Sequence, residues 1–310
     1  VGLPRVISSF LRGLKKINLQ KALESTMGSV AHSFLHLVRA YPWSPNIYKP
    51  VKWRLVMIDC TFYVEAQSNS RPAVEDSLQN LLAEVEKGID VVESRFEEIT
   101  ENEFQGTLYY SGVLQLRVTV DFRTYAAMCM RLTPTAIDLN KGSVTLERKD
   151  VLEVFGDISS RITKLSKKLG VAIQQTGKRF QETPGLDPDF IDETLNYGGV
   201  LMKMVFEGRA ESEERLREAF MEAMNASGAY INKVNSQRTE GPDWTGVVGA
   251  ELLFEDIEDV FLAVVKLIPV AMSIVEPESV TLSMREIQNI GMDLSEVVHS
   301  FISESIASGL

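Results

Sequence analysis

Residues 54–65 read RLVMIDCTFYVE, and this stretch decides the fold. Ile58, Cys60, Phe62 and Val64 fall on one side of an extended chain, and Asp59, Thr61 and Tyr63 fall on the other. That period of two describes a strand with one buried face. Downstream, Val74, Leu78, Leu81, Leu82 and Val85 recur at helical spacing, so a helix is predicted over Pro72–Lys87, with Gly88 as its stop. Ile89–Phe104 reads as a second extended segment broken by acids. Gly112–Phe122 alternates again, Thr124–Leu132 is helical up to Pro134, and Ala136–Glu147 is extended around the turn Asn140-Lys141-Gly142. The order is βαββαβ.

The same order returns. Val200, Met202, Met204 and Phe206 repeat the buried row, and a helix over Ser212–Asn225 ends at Gly228 as the first ends at Gly88. A strand over Ala229–Arg238 follows. Ser111-Gly112-Val113 is answered by Thr245-Gly246-Val247, Leu132-Thr133-Pro134 by Leu267-Ile268-Pro269, and Ser143–Leu146 by Ser279–Leu282, both SVTL. These matches in register predict an α+β chain of two ferredoxin-like units, with both helices of each on one face of a four-stranded antiparallel sheet. Each unit gains a helix, the first on Ile158, Ile162, Leu165, Leu169 and Ile173. The second rests on Met284, Ile287, Leu294, Val297, Phe301 and Ile302, with Gly291 as the place where it would break. The expected boundaries are a helical extension and connector over 1–50, a first unit over 51–182, a linker over 183–196 around Pro184-Gly185, and a second unit over 197–310.

Bulk properties narrow the function. An apolar fraction of 45% and a charged fraction of 24% in 310 residues suit ordinary globular domains. A net charge of −11 repels phosphate backbones, so nucleic acid is not an expected partner. Two cysteines, Cys60 and Cys129, are too few for a disulfide framework, and no secretory signal is visible, so the sequence reads as cytoplasmic. The most apolar window, Val260–Val275, contains Lys266 and Pro269 and is shorter than the roughly 20 residues a bilayer span needs.

The N-terminus departs from this acidic background. Residues 1–21 hold Arg5, Arg12, Lys15, Lys16 and Lys21 with no acid, leaving 27 basic and 43 acidic residues elsewhere. Val6, Phe10, Leu14 and Ile17 lie at helical spacing within it. A basic amphipathic helix of this kind packs on an acidic body of its own, enters a partner's groove or rests on an anionic membrane surface. Val6, Phe10, Arg12, Leu14, Lys15, Lys16 and Ile17 are its interaction residues.

Candidate chemistry is sparse. His32 and His36 share a helical face, but HSFLH lacks the glutamate of HExxH, so no metal or other cofactor is expected. There is no GxGxxG, GxxxxGKS/T or GxSxG segment. Asp59 interrupts an apolar strand, and Tyr63 and Arg117 project near it if the central strands pair. An acid, a phenol and a guanidinium could orient a small polar ligand; the simpler alternative is a cross-strand charge pair. The second unit has Leu201 where the first has Asp59, so such a site would be one-sided. The expected function is a non-catalytic structural or interaction protein that self-associates or binds a protein through its N-terminal helix. The alternative is a small-molecule binder or enzyme built on the polar sheet face or a cleft between the units.

Overall fold

The computed structural model describes residues 57–104, 107–140, 143–169, 184–239 and 244–307. These form a mixed α+β protein of seven helices and three antiparallel sheets. The first half runs β1 (Ile58–Ser68), α1 (Arg71–Glu86), β2 (Val91–Phe96), β3 (Thr100–Phe104), β4 (Thr107–Val120), α2 (Phe122–Leu132), β5 (Ala136–Leu139), β6 (Val144–Glu147) and α3 (Arg148–Leu169). After α4 (Pro188–Asn196), the second half runs β7 (Val200–Ala210), α5 (Glu213–Ala226), β8 (Tyr230–Thr239), β9 (Trp244–Phe254), α6 (Ile257–Leu267), β10 (Ala271–Glu276), β11 (Ser279–Leu282) and α7 (Met284–Ala307).

Sheet one is ordered β2-β4-β1-β5, with β3 also pairing β4; sheet two is ordered β8-β9-β7-β10. The registers run alike. Cys60 lies between Val118 and Leu139, as Met202 lies between Leu252 and Ile274. Ala66 faces Gly112, as Gly208 faces Gly246. The rows read as inward-facing do face inward: Ile58, Cys60, Phe62 and Val64 are buried, as are Val200, Met202, Met204 and Phe206.

Pro134 and Pro269 mark matching ends. Helix α2 stops at Thr133 (φ 43°) and α6 at Ile268 (φ 47°), both left-handed, with their N–H groups donating to Cys129 and Val264 carbonyls. Such a conformation is costly for a β-branched residue, but the following proline cannot continue the helix.

Three expectations are corrected. Ile89–Phe104 yields two strands rather than one, so sheet one has five strands rather than four. Residues 183–196, read as a linker, contain α4, whose first turn uses Pro188 and whose N-cap, Asp187, accepts from the Asp189 N–H. Gly291 does not break α7, which runs through it.

One core joins the halves. Phe122 meets Phe261 edge-on at 5.7 Å, Phe155 meets Phe261 at 4.7 Å, and Tyr125 stacks on Phe62 at 5.8 Å. The added helices are exchanged: α7 packs on α2 and β5 of the first half, and α3 packs on α6 and β10 of the second. The two SVTL segments pair with each other as a two-stranded sheet, Val144 opposite Leu282 and Thr145 opposite Thr281. The threonine hydroxyls lie 3.0 Å apart.

Candidate functional site

Residues that alternate with the buried rows of sheet one form its outer face. Asp59, Thr61, Tyr63, Gln115 and Arg117 are half-buried there, because neighbouring strands shield the side chains of a central strand from the flanks. Arg117 and Asp59 form a two-point ion pair across β1 and β4. Nε donates to Oδ1 at 3.0 Å and Nη2 to Oδ2 at 2.8 Å. The Asp59 side chain is 17% exposed and that of Arg117 41%. Hydrogen bonding to Asp59 raises the guanidinium's affinity for its proton further. Since Arg117 stands opposite Thr61, not Asp59, the guanidinium reaches diagonally across the ladder.

Tyr63 does not join that pair. Its hydroxyl donates to Asp138 Oδ2 at 2.8 Å, and this bond is the largest cause raising its pKa. Asp138, on β5, and Asn140, whose Nδ2 donates to Asp59 Oδ1 at 3.4 Å, were not read as site residues. Strand alternation offered a signal: Asp138 lies opposite Thr61 and shares the face of Asp59 and Tyr63. Farther along, Gln115 donates to Glu97, and Ser111 donates to Glu65 at 2.5 Å. Acid, phenol and guanidinium are thus engaged with neighbours on this face.

Sheet two uses the opposite charge order. Glu251, 11% exposed, accepts from Lys233 at 2.9 Å and from Asn232 at 2.7 Å, and Lys203 lies 3.7 Å away. The hydrogen bond from Lys233 is the main cause holding its pKa below the usual carboxylate range. Where Asp59 would recur, Leu201 lies in a row with Leu253 and Tyr230. Phe190 of α4 meets Tyr230 edge-on at 5.2 Å. Helix α4 therefore covers this row, which explains why it is apolar.

Thiol chemistry finds no support at either cysteine. Burial pushes Cys60 up to about 12 and Cys129 well above its ordinary value, so both are neutral thiols near pH 7. Among the described residues, no group of three or more His, Cys, Asp or Glu could hold a metal ion. No helix among them is long and apolar enough to cross a membrane. Val6, Phe10, Arg12, Leu14, Lys15, Lys16 and Ile17, with His32 and His36, lie outside the described residues.

No curated protein and no solved structure matches the chain. A family model does, over residues 59–308, from the second residue of β1 to one residue past α7, and the chain therefore belongs to the MJ0538 family.

Proposed function

We propose that this protein is a non-catalytic interaction protein that self-associates through the basic amphipathic segment at residues 1–21. Its scaffold is two diverged copies of one ferredoxin-like unit, each with an added helix given to the other copy. The matching strand order, registers and proline-marked helix ends support the duplication. The observation that carries the functional reading is the outer face of sheet one. Its Asp59, Arg117, Tyr63 and Asp138 are spent on one another, as in a structural network, instead of converging on a reacting centre. Two buried, protonated thiols suit a reducing, cytoplasmic setting.

Sedimentation velocity of the full chain and of a chain lacking residues 1–21 tests the reading. The full chain should sediment as an assembly at low salt, and as a smaller species at about 1 M salt, where the Debye length falls to about 3 Å. The deletion should give the smaller species at both. An unchanged size after deletion removes the reading.

A further inference from the structure

Among the described residues, β2 and β3 pair with no strand beyond β4, and this edge of sheet one differs from the rest of the described protein. Residues 90–104 carry six carboxylates against one cation, Arg95. Large apolar side chains nevertheless stand in solvent along it: Val92 is 57% exposed, and Phe96 and Leu108 are each 44% exposed. Phe96 lies opposite Leu114, and Leu108 shares the face of Leu114 six residues along β4. Between their levels, Ile99 and Tyr110 pack on the core. Phe96, Ile99, Tyr110 and Leu108 therefore extend the core outwards to the edge as an apolar strip. Exposed carboxylates at Glu101 and Glu103, opposite Tyr110 and Leu108 in the ladder, border it.

An apolar strip rimmed by acids is the complement of a basic amphipathic helix. Residues 1–21 supply such a sequence. Their stripe from Val6 to Ile17 would span about 16 Å as a helix. Phe96 to Leu108 spans about 20 Å of strand. Charge agrees with length: residues 1–56 hold nine basic residues and one acid, whereas residues 57–310 hold 23 basic and 42 acidic. The 35 residues from 22 to 56 join the segment to β1, and as a coil they would reach roughly 30 Å or more.

We infer that the β2–β3 edge receives residues 1–21 of a second copy of this chain, the two copies exchanging segments reciprocally. This rests on the assembly reading above and names its receptor. Phe10 and Leu14 enter the strip beside Phe96 and Leu108, while Arg12, Lys15 and Lys16 face the glutamates. A reciprocal exchange closes on itself, so the product is a dimer, not a filament.

Disulfide trapping between full-length chains tests it, because the natural thiols are buried and neutral. A Leu14→Cys chain is mixed with a differently tagged Phe96→Cys chain under mild oxidation. A cross-linked species of twice the chain mass is expected. Mixing Leu14→Cys with Val270→Cys, 55% exposed on the second half, should give at least tenfold less. Equal trapping at both positions, or none at Phe96→Cys, overturns the inference. So does a Leu14→Cys/Phe96→Cys chain that closes on itself without forming dimer, since the segment would then dock on its own edge. Sedimentation separates the two failures. If the deletion disperses the assembly while Phe96→Cys is not trapped, the edge is wrong and assembly through residues 1–21 stands. If the deletion changes nothing, the assembly reading falls and the inference with it.

Discussion

Gly291 shows how much one residue can depend on a distant one. A Cβ there would come within 2.1 Å of the Tyr125 hydroxyl oxygen and 2.9 Å of Ile137. Tyr125 is fully buried, and its hydroxyl donates to the Ile287 carbonyl at 2.9 Å, so it has little room to retreat. Gly291→Ala should therefore destabilise by about 1–3 kcal/mol through overpacking, despite a helix-propensity gain of about 1 kcal/mol. Tyr125→Phe should cost about 1 kcal/mol for the lost hydrogen bond, yet relieve part of the Gly291→Ala defect in the double variant. Urea unfolding of the four proteins measures this. If Gly291→Ala matches the parent, close approach does not explain the glycine. Read locally, this glycine predicts a helix break, because propensity is a property of the neighbourhood and Tyr125 is not in it. Asp59 and Arg117 were legible because strand alternation and pairing follow from sequence. The Tyr63–Asp138 bond was not, because it depends on which strand flanks β1.

At the scale of elements, α6 and α7 bring acids together. Burial is the first cause raising the pKa of Glu258, Asp259 and Asp293, and neighbouring acids add to it. Since these groups bind protons more readily folded than unfolded, acidification through their raised folded values stabilises the protein. The gain is complete once pH falls below their ordinary unfolded values. Glu251 has the opposite sign: its lowered pKa contributes stability above the ordinary carboxylate range that is lost as pH falls through its folded value. Tm should therefore rise as pH falls from 7 through the raised folded values of these three groups, and fall in stronger acid as Glu251 takes up its proton. Asp293→Asn should raise Tm at pH 7 and flatten the rise. A Tm that falls steadily from pH 7 would contradict this account of the cluster. Long elements were legible because their apolar periods are long. Helix α4 was missed because nine residues give too little period, although Asp187-Pro188 is an ordinary helix start. The pairing of β6 with β11 was not legible, because two good strand sequences do not say that they choose each other.

At the scale of the whole molecule, the exchange of α3 and α7 makes each half lean on the other. Arg148 Nη2 donates to the Val275 carbonyl at 2.8 Å, and Gln288 Nε2 donates to the Ile137 carbonyl at 2.6 Å, so hydrogen bonds run in both directions across the halves. A protease site inserted between Pro184 and Gly185 should yield, after cleavage, two fragments that co-elute as one species in native buffer. They should separate only in denaturant, in a transition as cooperative as that of the intact chain. Fragments that part in native buffer would show that the shared aromatic core around Phe122, Phe155 and Phe261 contributes little.

The bond from Tyr125 to Ile287 also has a consequence in time. Its partners are 162 residues apart, and α7, which closes the first half against α2 and β5, follows every other described element in the chain. At about 5–20 residues per second, the ribosome needs about 8–30 s to travel from one to the other. Throughout that interval the apolar side of α2 waits for a covering that α7 supplies. A product of premature termination therefore cannot pass as a finished first domain, and it presents unburied Phe122 and Tyr125 to the cell's chaperones and proteases.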